Sequence, residues 1–195
     1  MRFAPPERKA QSDVQANHTK PAVAVLLTFP GDPAAAGAGA DARLAAVAAV
    51  VAAGVPVIES AGFAGEDDVI SDAAACATAA GVAGVLTVSA TQEDDSLAEG
   101  VAAGRPFRAR RGGCVDIVAP GQGVLAPAQS PARAQVVRAT SPVAAAGLVA
   151  GVVALYIDAF PAARPAEVRP SLCARGTCFC PAATQCCVWA VVCAL

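Results

Sequence analysis

"DARLAAVAAVVAAGVPVIES", Asp41 to Ser60, passes from one periodicity to another without a break. Its first part is a Pro-free body of Ala, Val and Leu, opened by Asp41, a residue type favoured at helix N-caps, and closed by Gly54, which favours a helix stop. The run "VPVIES" follows at once, short, β-branched and apolar, as in a strand buried on both faces. A helix that feeds directly into a buried strand is half of a βαβ unit. The chain therefore predicts an α/β fold with a parallel sheet covered on both faces.

The pattern extends in both directions. Upstream, "PAVAVLLTF" from Pro21 is another short apolar run, closed by the turn-forming "PGDP". Downstream, "GVLTVSA" and "CVDIVAPG" predict two more strands, the second broken by Pro120 and Gly121. A long apolar helix is expected near 142–158, ended by Pro161. "RPAEVRPSL" then opens a short helix with Pro165 in its first turn. Residues 1–20 are polar and aperiodic, which predicts a loose arm. Residues 21–172 form the domain, and 173–195 a Cys-rich tail of abruptly different composition, expected to be disordered or artefactual.

Composition limits the function classes. With 195 residues the chain suffices for one compact domain. A hydrophobic share of 55% against 15% charged excludes disorder over most of it. Only 4% is aromatic, so the core is built from small side chains and modest stability is expected. A net charge of −2 leaves no basic footprint for nucleic acid, and Arg108, Arg110 and Arg111 are too few to make one. The apolar runs Leu44–Ile58 and Pro142–Ile157 fall short of the roughly 18 to 20 residues of a membrane span. No apolar h-region follows "MRFAPPERK", so no signal peptide is read and the compartment is unassigned. Carboxylates at calcium-ligand spacing are missing, "EDD" at 66–68 and 93–95 being read as solvated turns; no cofactor is expected.

Four segments, "AAVAAVVAAGVPVIESAGF", "GVLTVSAT", "CVDIVAPG" and "LVAGVVALYIDAFPAARPAEV", occur in an order and approximate spacing that resembles the proteinase K-type subtilisin-like serine proteases. The likeness is nearest to the disulfide-bearing, aqualysin-like members. It covers about residues 20–172, the C-terminal half to two thirds of such a catalytic domain. The resemblance implies acyl transfer by Asp, His and Ser in that chain order, assisted by oxyanion donors, and secretion of a full-length relative. It places the Ser in a G-T-S-M-A-x-P-H-V-A-G motif at the N-terminus of a buried helix, and an Asn donor at the end of "A-A-G-N".

Carried over from Val149, Ala150 and Gly151 without a gap, that motif puts Ser141 at its first Gly, Pro142 at its Thr, Val143 at the nucleophile and Leu148 at its His. Val143 has no nucleophilic atom. "SAGF" stands for "AAGN", so Phe63 occupies the oxyanion position and cannot donate a hydrogen bond there. The Asp and His motifs have no counterpart, and the single histidine, His18, is expected to be solvent-exposed. Sliding the motif by two residues makes Ser141 the nucleophile; the other reading is that Ser141 caps the helix with Pro142 at its first position.

Thr28, Phe29 and Gly62 are the expected substrate-cleft residues, although Pro30 removes a backbone donor that an extended peptide would use. Glu59 is read as an unusual catalytic acid, as a side chain facing a cleft open to water, or as a mark of relaxed selection. The resemblance implies a Cys76–Cys114 disulfide, with two buried thiols as the alternative. The tail cysteines, Cys173, Cys178, Cys180, Cys186, Cys187 and Cys193, leave open a disulfide cluster, a metal site of no standard zinc spacing, or translated non-coding sequence. The leading expectation is a subtilisin-like serine endopeptidase homologue, truncated and inactive on its own, whose partner is a polypeptide or inhibitor-like. Two alternatives stand beside it: a fragment of an active endopeptidase completed by another chain, with Ser141 as nucleophile, and a non-proteolytic α/β binding module. For the last, "GAGAD" at 37–41 is a weak phosphate-loop signal.

Overall fold

A computed structural model of the chain describes residues 24–26, 38–65, 82–102, 105–110, 115–127, 136–175 and 186–187. The elements in chain order are β1 (Ala24–Leu26), α1 (Ala38–Ala52), β2 (Val57–Ser60), β3 (Phe63–Gly65), β4 (Val85–Thr91), β5 (Glu99–Ala102), β6 (Arg105–Ala109), β7 (Ile117–Pro120), β8 (Val124–Pro127), β9 (Val136–Ala139), α2 (Pro142–Ala159), α3 (Pro165–Arg175) and β10 (Cys186–Cys187). The main sheet has the order β1-β2-β4-β7-β10 with every pair parallel. Val57 is in register with Val85, and Val88 with Ile117.

Both faces are covered, as the continuous apolar strands require. On one face Ile58, Leu86, Val88 and Ile117 meet Val149 and Val153 of α2, and Val168 and Leu172 of α3 join them. On the other, Val47 of α1 packs with Val57 and Val85, flanked by Val50 and Val51. α1 stops where expected: Gly54 takes φ +88°, its N–H donates to Val51 O at 2.9 Å, and Val55 N–H donates to Val50 O at 3.3 Å. These are the two bonds of a Schellman stop, and a side chain at that φ would be strained.

The details differ from expectation in several places. α1 begins at Ala38, so Asp41 lies within its first turn and not at the cap. β7 does stop where expected: Pro120 is its last residue and Gly121 lies beyond it. A three-stranded antiparallel sheet, β3-β6-β5, and the hairpin β8-β9 are additions that no apolar/polar alternation announces. α2 spans 18 residues and is long and apolar enough to cross a membrane by length and composition alone, yet one side of it is core. α3 starts on Pro165 as expected and continues to Arg175; it includes Cys173, which is half-buried and disulfide-bonded. His18, Thr28, Phe29, Cys76, Cys114, Cys178, Cys180 and Cys193 lie outside the described residues.

Leu86 is fully buried at the centre of β4. Leu86→Ala is expected to cost about 2–5 kcal/mol, read as a lower urea midpoint at unchanged slope.

Candidate active site

In a sheet of parallel strands all carboxyl ends lie along one edge, which is where open α/β sheets bind ligands. Here β2 leads into Gly62 and Phe63, β4 ends at Thr91, and β7 ends beside Gly121. α2 starts at the same edge, tied there by Ser141 N–H, which donates to Gly121 O at 2.7 Å. Gly121 N–H in turn donates to Thr91 O at 3.0 Å. A Cβ on Gly121 would fall 2.5 Å from Ala90 Cβ and 3.0 Å from Ser141 O, so only glycine lets β7 approach the helix start this closely.

Ser141 has extended backbone, φ −163° and ψ 136°, and is the N-cap of α2. Its Oγ accepts a hydrogen bond from Val143 N–H at 3.1 Å, and Pro142 at the first helical position has no N–H to satisfy. The capping role read from the sequence is therefore in place. Val143 is the second helical residue and half-buried, with only carbon in its side chain. The first turn of α2 carries no acidic residue, so the positive end of its dipole is uncompensated within the helix.

Across β4 from this helix start, Gly62 sits at φ +79° and is buried, its N–H donating to Ser60 Oγ at 3.2 Å. Phe63 is half-buried against the main core cluster. Arg110 fastens this corner: its N–H donates to Gly62 O and its Nε to Phe63 O, each at 3.3 Å. The Ser89 hydroxyl donates to Arg110 O, and Arg110 is only 6% exposed. The sequence reading weighed Arg110 only as surface charge. Neighbouring Arg108 is exposed and 3.6 Å from Glu99, and nothing in "RAR" distinguishes the two.

Glu59 corrects one expectation outright. It lies mid-strand on β2, in register with Leu26 and Thr87, and is fully buried, so it does not face a cleft open to water. Asp94 and Asp95 do form an exposed turn, in which Asp94 accepts from the Ser96 amide and hydroxyl. Among the described residues, no group of three His, Cys, Asp or Glu could hold a metal ion.

Asp116, just before β7, accepts from Thr87 N–H at 2.9 Å and pairs with Arg169 of α3 at 3.1 Å. Burial pushes its carboxyl above the usual value of 3.8, and the Thr87 amide and Arg169 only partly oppose this. The folded chain therefore holds this proton more tightly than the unfolded chain does. The group's contribution to stability is greatest below its unfolded value and falls as pH rises from about 4 through the raised folded value. Arg169→Ala is expected to extend that fall to higher pH and to cost roughly 0.2–1 kcal/mol at neutral pH, because Arg169 is half-exposed. Asp116→Asn removes the slope. Urea unfolding at a series of pH values from 3 to 8 checks both.

Comparison with known proteins follows the same lines. The sequence model of the subtilase family matches residues 30–174. A search of curated proteins returns no match. Among solved structures, one described as the crystal structure of a cold adapted subtilisin-like serine proteinase is similar with a TM-score of 0.66 and 22% identity. The match covers 96% of this chain and 62% of that one, so this chain spans less than two thirds of the proteinase it resembles. With the family matched over most of its length, and an α/β core of the same kind, this chain belongs to the subtilase family.

Proposed function

We propose that this chain is a subtilase-family serine protease homologue without peptidase activity. The observation that carries the reading is the first turn of α2. By the register of the family motif, the position of the attacking hydroxyl holds Val143, whose side chain cannot form an acyl-enzyme. Phe63, at the position of the side-chain oxyanion donor, offers no N–H beyond its backbone. Both departures concern residues inside the matched region, so the reading does not depend on what any other segment supplies. Capping by Ser141 supports it further, because that side chain has a structural task that needs no catalytic partner.

What the edge keeps is the frame of an acyl-transfer site. The strand ends are in register, glycine allows the close approach at Gly121, and the positive end of α2 points towards the edge. These features favour a polar or anionic group of a bound polypeptide without supplying a nucleophile.

The test is the purified chain incubated with an unfolded protein substrate and, separately, with a fluorophosphonate probe followed by mass spectrometry. The expected result is neither cleavage nor adduct. An adduct on Ser141 would overturn the proposal and restore the motif slid by two residues. Ser141→Ala is expected to lower stability by about 1 kcal/mol through loss of the cap, with no effect on either assay.

A further inference from the structure

The main sheet ends on a strand drawn from the Cys-rich segment. β10, Cys186–Cys187, lies beyond β7 and parallel to it, with Cys186 in register with Ile117 and Cys187 with Val118. Two residues are short for a strand, and so brief a ladder does not hold a segment in place by itself. Register partners on neighbouring strands share a face of the sheet, and successive residues alternate between faces. Ile117 belongs to the core that Val168 and Leu172 of α3 close, whereas Val118 clusters with Ala61 and Val115 on the other face. Cys186 is thereby placed on the face that α3 covers, and Cys187 on the opposite one.

α3 brings a second cysteine to the same place. Val168 and Leu172 form its buried ridge, and Arg169 and Cys173, each one residue further on, share one flank of that ridge at a spacing of four. Arg169 shows which flank this is, because its Nε lies 3.1 Å from Oδ1 of Asp116, the residue just before β7. Cys173 therefore stands on the β7 side of α3, and the strand beyond β7 is β10. Cys173 is half-buried and disulfide-bonded.

We propose that Cys173 is joined to Cys186, and that this bond is a redox-sensitive latch holding β10 over the edge of β7. An edge strand left open offers its N–H and C=O groups to another chain, and a latched β10 covers them. Release is thiol–disulfide exchange, in which a thiolate of a dithiol attacks one sulfur and expels the other as a thiolate, and the second thiol of the reagent then displaces the first. Two electrons and two protons pass to the protein, which gains two thiols, and the dithiol becomes a cyclic disulfide. The latch is independent of whether any peptidase activity remains.

Tandem mass spectrometry of a non-reduced digest of the full chain should find Cys173 linked to Cys186. A link from Cys173 to any other cysteine, Cys187 included, or no link at all, would overturn the proposal. Hydrogen exchange reads the latch itself. Dithiothreitol should speed exchange in residues 115–119 by about tenfold or more, while β2 keeps its protection. Because a dithiol would also reduce a bond at Cys114, Cys173→Ser and Cys186→Ser carry the comparison. Each should give that acceleration without reductant, and the double variant should add nothing to either. Cys193→Ser should leave exchange unchanged. Unaltered exchange at residues 115–119 in both single variants would overturn the latch, as would equal acceleration in β2, which indicates a general loss of stability.

Discussion

The contact between α2 and one face of the parallel sheet is the interaction on which the rest of the structure depends. The buried side of α2 shares a core with β2, β4 and β7, and α3 closes that core with Val168 and Leu172. Small side chains make the contact workable, because Ala145, Ala146 and Ala119 are all fully buried and let helix and sheet approach closely. The sheet itself depends on this cover: strands as apolar as β2, β4 and β7 are stable only with both faces out of water.

The same contact separates the residues that hold α2 from those at its first turn. Residues that hold α2 in place pack against the sheet, whereas the proposed nucleophile position, Val143, lies at the first turn, at the edge. Exchanging a hydroxyl for an aliphatic group at Val143 leaves the buried stripe untouched. Ser141 and Gly121 keep the helix start fixed by a backbone bond and a side-chain cap, neither of which involves the side chain of Val143. On the proposed reading, an aliphatic side chain at Val143 therefore carries little structural cost.

The buried polar groups follow a different logic. Arg110 fastens the turn after β2 through backbone carbonyls, and Asp116 joins β4 to α3 through Thr87 and Arg169. Each links segments distant in the chain, and each is worth having only because apolar burial has already excluded competing water. Glu59, also fully buried, shows how far this sheet departs from a purely apolar interior.

The sequence by itself determined the elements whose signals are local. Gly54 stops α1 through its own dihedral, Ser141 and Pro142 start α2, Pro165 starts α3, and the β-branched runs lie in the parallel sheet, because caps, stops and periodicity act over a few residues. The family motifs were equally legible, being contiguous. Only the tertiary structure decided the fate of Arg110, the burial of Glu59 and the pairing of β3, β5 and β6. An arginine or glutamate in a short segment reads the same whether it faces water or core, and antiparallel strands without alternation are defined by their partners. The two sides of α2 show the same division. Its apolar residues were plain in the sequence, but the side that meets the sheet, and the side left exposed, were set by how the strands lie beneath it.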